Sequence, residues 1–136
     1  MEMFRVKSNK IPGANYGKIK KVAVNIFCGI KSKTKRRPYV RSVYFNKEKI
    51  FFDYFWPHLA SKNYNERVRR LRYFNCAIEL IEKSRNNPMI TDSRHTKNEK
   101  LYRFCGITNI NELFYVQIKE NKKTGQKYFM SCFPEK

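Results

Sequence analysis

The stretch "NYNERVRRLRYFNCAIELIEKSRNNP", residues 63–88, constrains the fold more than any other. Leu71, Phe74, Ala77, Ile78 and Ile81 recur at helical spacing, which predicts one helix with a single apolar stripe. Asn63 with Glu66 three residues on has the form of a capping box, with Asn in place of the commoner Ser or Thr. "NNP" ends the run. A one-sided helix must bury its stripe against something, and the other apolar stretches are β-prone. "LYRFCGI", "ELFYVQIKE" and "QKYFMSCFP" predict strands, with "NKKTG" turning the last two into a hairpin. Upstream, "KVAVNIFCGI" and "PYVRSVYF" predict a hairpin whose exposed tip is the basic loop "KSKTKRR". "KIFFDYFW" predicts a third short strand, and Pro57 suits the first turn of a short helix reaching about Lys62. "MITDSRHTKNEK" reads as a loop, and residues 1–18, with Pro12, Gly13 and Gly17, as an irregular arm. Strands, helices, then strands predict an α+β domain over residues 19–136. Its twisted, mostly antiparallel sheet packs on a helical pair and can keep one face open.

Thirty Lys and Arg against 11 Asp and Glu leave a net charge of +19. That field concentrates polyanions, and nucleic acid is the first partner it implies. A membrane surface is a weaker candidate, because "KSKTKRR" adjoins no apolar anchor. No apolar run approaches the roughly 20 residues of a transmembrane helix. "MEMFRVKSNK" carries charge where a signal peptide carries apolar residues, so a cytoplasmic setting is expected. Cys28, Cys76, Cys105 and Cys132 are widely spaced in apolar stretches and read as buried free thiols. With only Asp53 and Asp92 as aspartates, a carboxylate-rich two-metal nuclease lacks its ligands, and neither a metal nor a cofactor is expected. Nucleophile-elbow, Gly-rich phosphate-loop, Walker and zinc-protease motifs are missing, so ATP-driven and motif-based hydrolase chemistry has no support.

Basic and titratable side chains remain as candidates. At about 100° per residue, Arg67 shares the stripe of Leu71 and Phe74 and is expected to face the sheet, whereas Arg69 and Arg72 point outward. An inward guanidinium must pair with Asp53 or Glu66, snorkel, or meet an anion. His58 and Lys62, at i and i+4, project from one side of the short helix. A histidine there can exchange protons beside a phosphate-binding lysine, or simply pack between Trp56 and Leu59. His95, beside Arg94, is a reserve candidate. Strand alternation puts Phe129, Ser131 and Phe133 on one face, with a hydroxyl where a hydrophobe would be expected. Tyr39, Tyr44, Tyr115 and Tyr128 lie on strands with basic neighbours, which suits either base stacking or cross-strand packing. Lys33, Lys35, Arg36 and Arg37 in the basic loop and Arg69, Arg70 and Arg72 on the helix are candidate phosphate contacts.

A basic helix, then "NPMI", "LYRFCGI" and "LFYVQIKENKKTGQKYFMSCFP", resembles the small basic RNase toxins of the BrnT, RelE and phage-associated barnase-EndoU-colicin-RelE-like group, over residues 43–134. The group's tandem helical histidines have no counterpart here. The resemblance implies a RelE/BrnT-like fold and a metal-independent endoribonuclease acting through the 2′-hydroxyl. It also implies an acidic antitoxin as partner and ribosome- or tRNA-associated RNA as target. In this reading His58 is the acid/base, Lys62 and Arg67 stabilise the transition state, and Ser131 positions the substrate from the sheet's open face. Arg70 and Tyr115 are outer contacts. The alternatives are a non-catalytic RNA- or DNA-binding module of a larger assembly and an interaction protein docking an acidic partner.

Overall fold

A computed structural model describes residues 2–93 and 97–135. The chain is α+β. The strands are β1 (Met3–Arg5), β2 (Tyr39–Ser42), β3 (Glu48–Phe51), β4 (Met89–Asp92), β5 (Glu99–Ile107), β6 (Leu113–Asn121) and β7 (Lys127–Pro134). The helices are α1 (Tyr16–Ser32), α2 (Phe55–Ala60), α3 (Tyr64–Leu71) and α4 (Phe74–Lys83). One sheet runs β1-β5-β6-β7-β3-β2, and β4 pairs with β5. The sheet is mixed: β1 runs parallel to β5 and β3 to β7, and the remaining pairings are antiparallel.

Several elements form as the residues dictate. Asn63 Oδ1 accepts from the Glu66 backbone N–H at 2.9 Å, capping α3. Between β6 and β7, Asn121 Oδ1 accepts from the backbone N–H groups of Lys123 and Thr124, and Gly125 takes φ +75° to close the turn.

Other expectations are corrected. "KVAVNIFCGI" is helical, as part of α1. Asn15 caps it, and Ile19 and Ala23 are fully buried on the face it turns to the core. Its β-branched residues suit a strand, but burying one stripe against α3 and α4 outweighs a propensity difference of a few tenths of a kcal/mol per residue. The basic loop therefore joins a helix to β2 and is no hairpin tip. The expected long helix is two, α3 and α4, broken at Arg72 and Tyr73. Ile11 donates its backbone N–H to the Arg72 carbonyl at 2.8 Å, and Arg72 Nε donates to the Ile11 carbonyl at 2.8 Å. The sheet is thus covered by four helices rather than a pair. "MITD" is strand β4, paired along β5. The lead-in also contributes: Met3–Arg5 is β1, and Val6 and Ile11 are buried. Glu79 on α4 is buried and accepts from the backbone N–H groups of Lys7 and Ser8 and from the Ser8 hydroxyl, which ties the lead-in to the helices.

The core lies between the helices and one sheet face. Phe55 of α2 stacks on Phe129 of β7 at 4.5 Å between centroids, and Phe52 and Phe74 pack around them. Beyond this face, β3 pairs β7 only at Lys127 and Tyr128. The free edge of β7 past Tyr128 is met by α2 and α3 instead of a strand.

Candidate nucleic-acid interface

The second face of the sheet is set by alternation and by one irregularity. Ile118 lies opposite Phe129 and Gln117 opposite Ser131, so Met130 is an extra residue on β7. The bulge breaks the expected alternation. Phe129 and Cys132 both point to the core, whereas Ser131 and Phe133 point outward beside Gln117 and Tyr115. Phe129 therefore does not share a face with Ser131.

This outer face alternates rings and cations. At the β2–β3 end, Tyr39 meets Phe51 edge-on at 6.0 Å. Lys49 Nζ lies 4.8 Å and the Arg41 guanidinium 5.3 Å from the Tyr39 ring. The Arg37 guanidinium covers Phe51 at 3.9 Å, approaches Tyr128 at 5.9 Å and binds Asp53 at 2.8 Å. Tyr128 meets Tyr54 at 4.7 Å, and Lys119 Nζ sits 4.2 Å from the Tyr54 ring. At the β5–β7 end, the Phe133 ring has the Arg70 guanidinium at 5.3 Å and the Arg103 guanidinium at 5.4 Å, and meets Tyr115 at 5.6 Å. Arg103 donates to Gln117 at 3.3 Å.

His58, Arg70, Met130 and Ser131 line one crevice where α2 and α3 meet the β7 edge, too narrow for a water molecule. His58 is half-buried. Burial first, then the charges of Lys62, Arg70 and Lys119, push its imidazole below its ordinary value, which favours the neutral form. Ser131 is buried at the crevice wall.

The structure brings together His58, Ser131 and Arg70, with Lys62 close enough to His58 to disfavour its charge. Arg67 is elsewhere. Its guanidinium lies 5.0 Å from the Tyr16 ring of α1, and its Nε is buried with no hydrogen-bond partner among the described residues. The side it faces is filled by α1, and a ring face there replaces the expected carboxylate or anion. Glu66 binds Arg69 and Arg70 instead. Arg72 holds the α3–α4 break, so its side chain is a structural clasp. Tyr44 packs against Phe45 and Phe104 on the core side, not on the outer face. Arg94 and His95 lie outside the described residues.

Arg103, Gln117 and Lys119 were not singled out by the sequence, although the signal was present. In "LYRFCGI" and "ELFYVQIKE" the residues alternating with the buried Tyr102, Phe104, Val116 and Ile118 are Arg103, Gln117 and Lys119.

Among the described residues no group of three or more His, Cys, Asp or Glu is placed to hold a metal ion, and no helix is long and apolar enough to cross a membrane. Cys76, Cys105 and Cys132 are buried free thiols, and Cys28 is exposed. No protein-family model, curated protein or solved structure matches this chain, so its site rests on its own chemistry.

Proposed function

We propose that this protein binds single-stranded RNA across the outer face of its sheet. One observation carries the reading: rings and cations interleave from Tyr39 to Phe133 on the sheet face turned away from the core. Bases stack on rings regardless of sequence, and the cations between them meet the backbone phosphates. The net charge of +19 supplies the long-range attraction. Single strands fit better than duplex, because stacking on Tyr39, Tyr54 or Phe133 requires bases free of their partners.

A second reading, metal-independent cleavage of that RNA, is supported by His58 standing neutral among Lys62, Arg70 and Lys119. A neutral imidazole can take the 2′-hydroxyl proton as the 2′-oxygen bonds to phosphorus and return it to the 5′-oxygen as the P–O5′ bond breaks, leaving a 2′,3′-cyclic phosphate, while the three cations can stabilise charge gathering on the phosphorus-bound oxygens. Arg70 holds the place expected of Arg67, and Ser131 can donate a positioning hydrogen bond. The RelE/BrnT-like assignment belongs with this reading. It is supported by the antiparallel β5–β6–β7 unit with a hydroxyl on its last strand, and it brings an acidic antitoxin as a competitor for the same face. The crevice must open before it can admit a phosphate, whereas the outer face needs no such change to bind a strand.

The test is end-labelled single-stranded RNA incubated with the protein in EDTA. Retention of intact RNA, with weaker retention of the matching duplex, is the expected result. Cyclic-phosphate ends, absent with His58→Ala, would promote the second reading. Equal affinity for single strand and duplex would refute the stacking argument.

A further inference from the structure

Where the basic loop meets the β2–β3 end of the outer face there is a cavity of about 480 Å³. Lys33, Lys35, Arg36, Arg37 and Lys49 line it, and Tyr39 and Phe51 are the aromatic part of the wall. We propose that this cavity binds a nucleoside carrying a 5′-polyphosphate, either free or as the 5′ end of an RNA strand. As the end of a strand it rests on the RNA reading above; as a free nucleotide it stands alone.

The argument is one of charge density and shape. Five cations line a volume of nucleotide size; among the described residues Arg37 is ion-paired, with Asp53, and the Glu82 carboxylate lies near enough to Lys33 to feel its charge, which leaves Lys35, Arg36 and Lys49 in excess. An interior nucleotide of a strand brings one negative charge and cannot balance those three. A 5′-triphosphate brings about four charges on one nucleotide, and its many oxygens accept from lysine and guanidinium donors together. The hollow here, about 480 Å³, is large enough for a nucleotide, whereas a second hollow on this face, beside Arg103 and Gln117, is about 120 Å³. The two rings offer a wall for the base: Tyr39 and Phe51 meet edge-on, and the Arg37 guanidinium lying 3.9 Å over Phe51 presents a second flat surface for stacking. Continuity favours the strand end as well, because Arg37 reaches both Phe51 in the cavity and Tyr128 on the face that leads to the His58 crevice. A strand whose 5′ end is held here would run along the rings toward Phe133.

The experiment compares one short 3′-labelled RNA bearing a 5′-triphosphate, a 5′-monophosphate or a 5′-hydroxyl, by fluorescence anisotropy at fixed physiological salt, with ATP and inorganic tripolyphosphate as unlabelled competitors. The triphosphate end should bind at least tenfold tighter than the hydroxyl end, with the monophosphate between. ATP should compete for the triphosphate end better than tripolyphosphate at equal concentration, because it also reaches the rings. Lys35→Glu with Arg36→Glu should collapse the ratio between the ends; circular dichroism checks that this variant, altered only at exposed residues, is folded. Equal affinity for the three ends would overturn the proposal and leave the RNA reading standing. Should no RNA bind, direct titration with a fluorescent ATP analogue decides: saturable binding lost in the variant upholds the cavity as a free-nucleotide site, and no binding overturns it.

Discussion

Net charge and surface placement make different predictions when equal numbers of charges are removed from different faces. Arg41 and Arg103 lie on the outer sheet face at its two ends, beside Tyr39 and Phe133. Lys18 and Lys21 are exposed on α1, within the helical layer. Arg41→Gln with Arg103→Gln and Lys18→Gln with Lys21→Gln each lower the net charge by two. If the outer face is the interface, only the first pair removes phosphate contacts. For a single strand each contact adds about 0.7 to the slope of log affinity against log salt, so the arginine pair should flatten that slope by about 1.4. Carried from a 1 M reference to physiological salt near 0.15 M, that slope change corresponds to a loss on the order of tenfold in affinity. The α1 pair should change affinity by less than about twofold, since charges outside the contact act only through a screened field. Anisotropy titrations of a labelled oligoribonucleotide at four salt concentrations measure both quantities. Equal losses for the two pairs would refute the assignment of the face, because only diffuse attraction treats them alike. An unchanged slope in the arginine pair would show that those two side chains touch no phosphate.

Gly106→Ala should destabilise the fold by about 1–3 kcal/mol or more in urea denaturation, because an added Cβ would lie 2.4 Å from Phe114 Cζ and 2.8 Å from Leu80 Cδ1 inside the core. A neutral result would mean that the Phe114 ring can turn aside. In native buffer one thiol, Cys28, should react quickly with a thiol-specific reagent, while Cys76, Cys105 and Cys132 react only on unfolding; burial also raises the Cys76 thiol to about 11, which suppresses its thiolate. Three or more fast thiols would contradict the packing. His58 should make stability pH-dependent with a definite sign. Its folded value lies below 6.5, so as pH falls below about 6.5 the unfolded chain takes the proton first and stability declines until the folded value is reached. His58→Gln should remove this part of the slope between pH 5 and 7, measured as urea midpoints, and an unaltered slope would place the imidazole in solvent.

What the sequence determined by itself was the content of the local units. The apolar alternation of β5 and β6, the Asn-led and Gly-closed turn between β6 and β7, and the Asn63 cap are side-chain chemistry acting over a few residues. The excess of cations identified a polyanion-binding protein class as the leading expectation for the same reason, since charge is additive along a chain. Tertiary structure decided what depends on partners distant in sequence. Ile11 takes the Arg72 carbonyl and ends α3, although the periodicity of residues 71–81 continues without a break. Burial against α3 and α4 makes "KVAVNIFCGI" a helix; Ile19, Ala23, Ile26 and Ile30 already carried that period, and β-branching masked it. The bulge at Met130 is invisible locally, because an extra residue on β7 has meaning only against Gln117 and Ile118 of β6. That single residue turns Ser131 away from the core that holds Phe129. The same contingency placed Arg70 at the His58 crevice and Arg67 against Tyr16. Helical phase specifies which side of its own axis a residue occupies, and only packing specifies what stands there.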